Sequence, residues 1–167
     1  MRKKYILLII AIVLIILLVF AYMYINQLWI FDKFRNVDVD VKKLSNSLIS
    51  EFDFSNAYIM PKEEAKEKYE KIDFSKIEEF SVITSFMDIE AFEIGIFKVN
   101  EKTYLDALSD AIIERAENIK DYYENYMYTQ KEVANEYEIK KYNDTIIVII
   151  HNNKDAVIKY IEKYILE

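Results

Sequence analysis

The sequence predicts an α+β fold carried behind a transmembrane helix. The expected architecture is a two-layer sandwich with a four-stranded, mostly antiparallel sheet, its elements in the order ααββαββα. Three observations predict it. From Tyr5 to Phe31 no residue is charged. Farther along, four segments carry strand signatures and fall into two close pairs, as hairpins do. Around and between those pairs, apolar residues recur at helical spacing.

The N-terminal run Tyr5 to Ile25 is almost wholly aliphatic. About 20 such residues suffice to cross the hydrocarbon core as a helix. Tyr22, Tyr24 and Trp29 lie at its outgoing end, where amphipathic rings favour the headgroup zone. The run is longer than a signal-peptide core, and no small-x-small cleavage site follows Ala21. An uncleaved, single-pass signal anchor is therefore expected. Arg2, Lys3 and Lys4 favour an N-terminus on the cytoplasmic side, with the rest of the chain extracellular. The expected organisation is a cytoplasmic basic N-terminus over 1–4, an anchor helix over 5–31, a connector over 32–40 and one extracytoplasmic α+β domain over 41–167.

Val41, Leu44, Leu48 and Phe52 share a helical stripe, with Asp38 or Asp40 placed to cap its start. Pro61 opens a second helix running to Tyr69. Phe80, Val82, Thr84 and Phe86 alternate with Ser81, Ile83 and Ser85, and Phe92, Ile94 and Ile96 alternate with Glu93, Gly95 and Phe97. Both segments read as strands. A long helix is expected from about Lys102 to Met127, with Tyr104, Leu108, Ala111, Ile112, Arg115, Ile119, Tyr122 and Tyr126 on one stripe. Tyr137 to Tyr142 and Thr145 to His151 form the second hairpin around an Asn143-Asp144 turn, both residues tolerating positive φ. A last helix, about Lys154 to Ile165, closes the chain.

Composition excludes several functions. A single Gly cannot build a Gly-rich phosphate loop or a nucleophile elbow. With no Cys and one His, structural zinc, iron–sulfur and Cys/His nucleophile sites are ruled out. Acidic residues number 29 against 22 basic ones, a balance unlike that of a nucleic-acid binder. No metal or other cofactor is expected. An outside domain that needs no disulfide suits a Gram-positive surface.

Several stretches, taken in order, resemble a known family: Asp38-Val-Asp-Val-Lys-Lys-Leu44, Tyr69 to Asp73, Glu93-Ile-Gly-Ile-Phe-Lys98, Arg115, Asn125-Tyr126 with Gln130, and the final strand and helix. The family is that of short extracytoplasmic bacterial proteins, mainly of Firmicutes, known as domain of unknown function 4358. The resemblance covers about Val37 to Leu166. Many relatives look like lipoproteins with an N-terminal Cys, and they tend to have a Gly-containing connection before the strand of Glu93. This chain has neither. The resemblance implies a fold and a location, and no activity.

The candidate ligand- or partner-binding residues are Glu93, Gly95, Phe97 and Arg115. Glu93, Gly95 and Phe97 share one strand face, and a mid-strand Gly often marks a close approach by a ligand or another backbone. That face is expected to lie away from the helices, covered by a partner or by a helix of this chain. Arg115 falls on the core stripe of the long helix, where it either snorkels to solvent at the stripe's edge or, if buried, needs a carboxylate, for which Glu93 is available across the layers. Tyr122 and Tyr126 are expected in the core, leaving Tyr123 and Tyr128 as an aromatic platform. No catalytic residue is expected. The expected function is non-catalytic binding by a membrane-anchored domain, with membrane lipid around the anchor and an envelope protein as candidate partner. The alternatives are a cell-wall or glycan-binding module using the tyrosines, and a hydrolase using Glu93 or His151 as acid or base.

Overall fold

The computed structural model describes residues 13–22, 34, 37–52, 54, 56–86 and 90–166. The chain divides into two compact units, Met1–Asn36 and Val37–Glu167. In the first, residues 13–22 form helix α1. Its apolar side chains, from Val13 to Phe20, are all exposed. Among the described residues no helix is long and apolar enough to cross a membrane. The remainder of the expected anchor, 5–12 and 23–31, lies outside the described residues, as do the basic N-terminus 1–4 and residues 32, 33, 35 and 36 of the expected connector 32–40.

The second unit is α+β. Helix α2 spans Val41–Glu51, β1 Ala57–Ile59, α3 Lys62–Lys68, β2 Ile77–Ser85 and β3 Glu93–Val99. Then follow α4 Leu105–Tyr126, α5 Lys131–Asn135, β4 Glu138–Tyr142, β5 Thr145–Ile150 and α6 Lys154–Leu166. Asp40 caps α2 as expected, its carboxylate accepting from the Lys43 N–H at 2.8 Å. Asn143 makes the predicted turn with φ of 55°.

The sheet has five strands, not four, all antiparallel in the order β1-β2-β3-β5-β4. The extra strand, β1, is three residues long and too short to show a period in sequence. Asn56, in the left-handed region with φ of 59°, turns the chain into it. Ala57, Tyr58 and Ile59 then pair with Ser85, Thr84 and Ile83. Short α5 is a second unexpected element.

Helices cover both faces of the sheet, so the two-layer expectation gives way to three layers. Ile83, Ile94 and Ile149 lie side by side across β2, β3 and β5, with Ile96 and Ile147 paired one step along. All five are fully buried. Helix α2 packs against β2 and β3 on this face and against α6, contributing Leu44 and Leu48, while α6 contributes Val157 and Ile161. The opposite face presents Val82, Gly95, Phe97, Ile146 and Val148. Its apolar residues form one core with Ala65 and Tyr69, with Leu108, Ile112, Ala116, Ile119 and Tyr123 of α4, and with Ala134 of α5. At about 25 cal/mol per Å² of apolar surface, burial on both faces dominates the stability of the unit.

Candidate functional site

Glu93 is the first residue of β3, and the segment before it is fixed from two sides. The Tyr123 hydroxyl donates to the Glu90 carbonyl, and the Ala91 N–H donates to Gln130 Oε1 at 3.1 Å. Glu93 pairs with Thr84 on β2 and Ile150 on β5, and its side chain points under α4. Only 3 % of the residue is exposed.

Its carboxylate meets two partners. Arg115 of α4 donates through Nη2 to Oε2 at 2.7 Å and through Nε to Oε1 at 3.2 Å. This fork geometry is the strongest form of Arg–carboxylate contact. The Tyr69 hydroxyl, just after α3, donates to Oε1 at 2.8 Å. The Arg115 guanidinium also lies 5.7 Å from the centre of the Tyr69 ring. Burial and the adjacent Glu93 charge together push the Tyr69 phenol well above its usual range. Burial opposes the charge on Arg115, but the Glu93 carboxylate outweighs it and raises the guanidinium pKa further.

Gly95 belongs to the same arrangement. A Cβ there would lie 2.9 Å from Tyr69 Oη, 2.7 Å from Phe97 Cε2 and 2.9 Å from Val148 Cγ1. The glycine therefore makes room for the tyrosine hydroxyl on its way to Glu93. Its backbone conformation is ordinary, so this is a close approach and not a turn requirement.

The four predicted residues come together, with different fates. Glu93 and Arg115 pair across the layers, the carboxylate partnership being the one of the two readings of Arg115 that the structure shows. Glu93, Gly95 and Phe97 do share a face, and of the two covers expected for it, a partner or a helix of this chain, it is the chain's own α3 and α4 that lie over it, so the face is not turned away from the helices. Phe97 is fully buried against Tyr69, with ring centres 4.8 Å apart. Gly95 and Phe97 support the pair from below and do not reach solvent. Arg115 does reach it: its side chain is 20 % exposed. It opens with Glu93 into a cleft of about 260 Å³ whose walls include Lys68, Glu90, Asn118 and Tyr122.

The aromatic expectation is reversed at three positions. Tyr123 is buried, while Tyr122 and Tyr126 are 43 % and 75 % exposed. The buried stripe of α4 advances by fours from Leu108 to Ile112 and Ala116, then through Ile119 to Tyr123. A stripe drawn through Arg115 and Ile119 alone lands on Tyr122 one position early. The Tyr122 ring is braced edge-on by Tyr123 at 5.2 Å and packs on Tyr126 at 5.1 Å.

His151 stands elsewhere. Its ring lies between Phe54 and Phe92, with centres 5.2 and 5.4 Å away, and Nδ1 accepts from the Asn153 N–H at 3.0 Å. It lines a second cleft with Phe52 and Asn152. Among the described residues no cluster of His, Cys, Asp or Glu could hold a metal ion.

Sequence reasoning missed Tyr69, Lys68 and Asn118. Tyr69 gave a signal in being an aromatic residue directly after a charged surface helix. Lys68 and Asn118 gave none, since their role depends on where α3 and α4 cross the sheet.

The family model for the Domain of unknown function (DUF4358) matches residues 50–151. The chain belongs to this family. The DUF4358 match is narrower than the resemblance from Val37 to Leu166. It takes in all five strands, α3, α4 and α5, hence the whole Glu93–Arg115–Tyr69 cluster, and leaves out nearly all of α2 and the whole of α6. No curated protein and no solved structure matches the chain.

Proposed function

We propose that this chain is a membrane-anchored, non-catalytic binding domain displayed outside the cell, which takes its ligand in the cleft over Glu93 and Arg115. One observation carries the binding reading. The ionisable pair at the floor of the cleft is mutually satisfied. Glu93 accepts three hydrogen bonds, two of them from a guanidinium, and so has little capacity left for proton transfer to a substrate. Arg115 keeps N–H groups beyond the two it spends on Glu93, since a guanidinium carries five. The floor of the cleft can thus offer fixed donors without offering an acid or a base. His151, the other acid–base candidate, lines a different cleft and pairs through Nδ1 with backbone.

The anchor rests on the uncharged run from Tyr5 to Phe31 and on the exposed apolar side chains of α1. A helix that is apolar on all sides suits a core or a bilayer. The three basic residues before it favour a cytoplasmic N-terminus.

The test is retention. Tagged full-length protein, solubilised from its membrane, is mixed with the cell-envelope fraction and recovered. Asn118→Trp, an exposed change that fills the cleft, is run alongside. Envelope material held by the parent and released by Asn118→Trp is the expected result. Equal retention by both, or none by either, overturns the cleft as the binding site.

A further inference from the structure

We infer that the ligand of this cleft is a single neutral sugar ring, stacked on Tyr122 and hydrogen-bonded by Arg115 and Asn118. The inference rests on the binding reading above and specifies its chemistry. Charge balance comes first. Glu93 and Arg115 cancel each other at the floor, and Lys68 and Glu90 are of opposite sign at the mouth. A site with no net charge gives an anion or a cation nothing extra, and it favours an uncharged ligand.

The polar groups are suited to hydroxyls. The spare N–H groups of Arg115 only donate, whereas the Asn118 amide both donates and accepts. Asn118 makes no hydrogen bond to another described residue, so its amide is available. A hydroxyl donates and accepts at once and can use both partners. The third requirement is an apolar surface for the ring's C–H groups. Tyr122 supplies it: its ring lines the cleft, is 43 % exposed, and is held by Tyr123 and Tyr126. A braced ring loses little side-chain entropy on binding, and its electron-rich face attracts the positive edge of a C–H array. Size sets the limit. About 260 Å³ falls below the roughly 300–1,000 Å³ of drug-sized sites, and it admits one ring, not a chain.

The test uses the full chain in a detergent without a sugar headgroup. Free glucose and N-acetylglucosamine are the probes, with acetate as the charged control, and saturation transfer from protein to probe is read by NMR. Transfer to at least one sugar, competed by the other sugar and not by acetate, is expected. Tyr122→Ala should weaken binding by about tenfold, equivalent to about 1.4 kcal/mol. Tyr128→Ala, which alters an exposed tyrosine outside the cleft, should leave it unchanged. Circular dichroism of both variants should match the parent, since both positions are exposed. No transfer to either sugar, stronger transfer to acetate, or unchanged binding in Tyr122→Ala overturns the inference. Envelope retention that Asn118→Trp still abolishes would, in that case, leave the binding reading standing with a different ligand.

Discussion

One face of the sheet is built from Ile83, Ile94, Ile96, Ile147 and Ile149, a single residue type repeated across three strands. The other carries Thr84, Glu93, Gly95, Phe97 and Val148, under Tyr69 and Arg115. The two faces alternate along the same strands, yet they are stabilised differently. The five isoleucines depend on volume, with no directional contact to lose. The opposite face depends on distances: a hydroxyl reaches a carboxylate only because one residue lacks a Cβ. Volume tolerates conservative exchange, whereas a buried polar network tolerates it poorly, because each member left unpaired costs more than its hydrogen bond contributed. Within one small domain, the polar face is therefore where a binding site can be fixed.

The sharpest way to break this comparison is to remove one member of the ion pair. Arg115→Ala leaves Glu93 buried without its guanidinium and should lower unfolding stability by about 3 kcal/mol, at the lower end for buried pairs because Arg115 is partly exposed. The triple change Tyr69→Phe, Glu93→Leu and Arg115→Met should recover most of that loss, since apolar groups of similar volume replace the whole network and leave no member unpaired. Urea unfolding of the full chain measures both. A triple variant no more stable than Arg115→Ala would mean that packing, not charge, fixes this face.

Gly95→Ala is next in size. The new methyl would meet Phe97, Tyr69 and Val148 inside 3 Å, and a cost of about 2 kcal/mol is expected from overpacking. Ile96→Val, the matched change on the other face, should cost about 1 kcal/mol. The same unfolding series compares them directly. If Ile96→Val proves the costlier, the distinction between a face set by distance and a face set by volume fails.

How much of this was legible follows the same division. The isoleucines of β3 and β5 announce buried strands by pattern alone, and the capped start of α2, the Asn143 turn and most helix and strand bounds were readable to within a few residues. The Glu93–Arg115 pairing was legible only as one of two readings, because a cation on an apolar stripe either finds an anion or snorkels to solvent. Legibility ended where three-dimensional placement decides. Strand β1 is too short to have a period. Which cover lies over Glu93, Gly95 and Phe97, a partner or the chain's own α3 and α4, could not be read, because a period of two says that a residue has a side but not which layer lies over it. Tyr122 and Tyr123 exchanged places because a stripe on a straight helix drifts, and one residue of drift over four turns moves an aromatic ring from core to solvent.

The smallest expected effect concerns the rim of the isoleucine face. His151 directly follows β5, and burial between Phe54 and Phe92 lowers its pKa below the usual histidine value, against the opposing charge of Glu90. The folded chain thus resists protonation at pH values where the unfolded chain accepts it. Stability is then retained above the unfolded pKa of about 6.5 and falls as pH drops below it. One proton limits the slope to about 1.4 kcal/mol per pH unit. His151 is the only histidine, so no other imidazole contributes in this window. Unfolding midpoints at pH 7.5 and pH 5.5 should therefore differ in the parent and differ less in His151→Gln. If the variant keeps the full difference, the pH response belongs to carboxylates of the polar face and not to the rim of the apolar one.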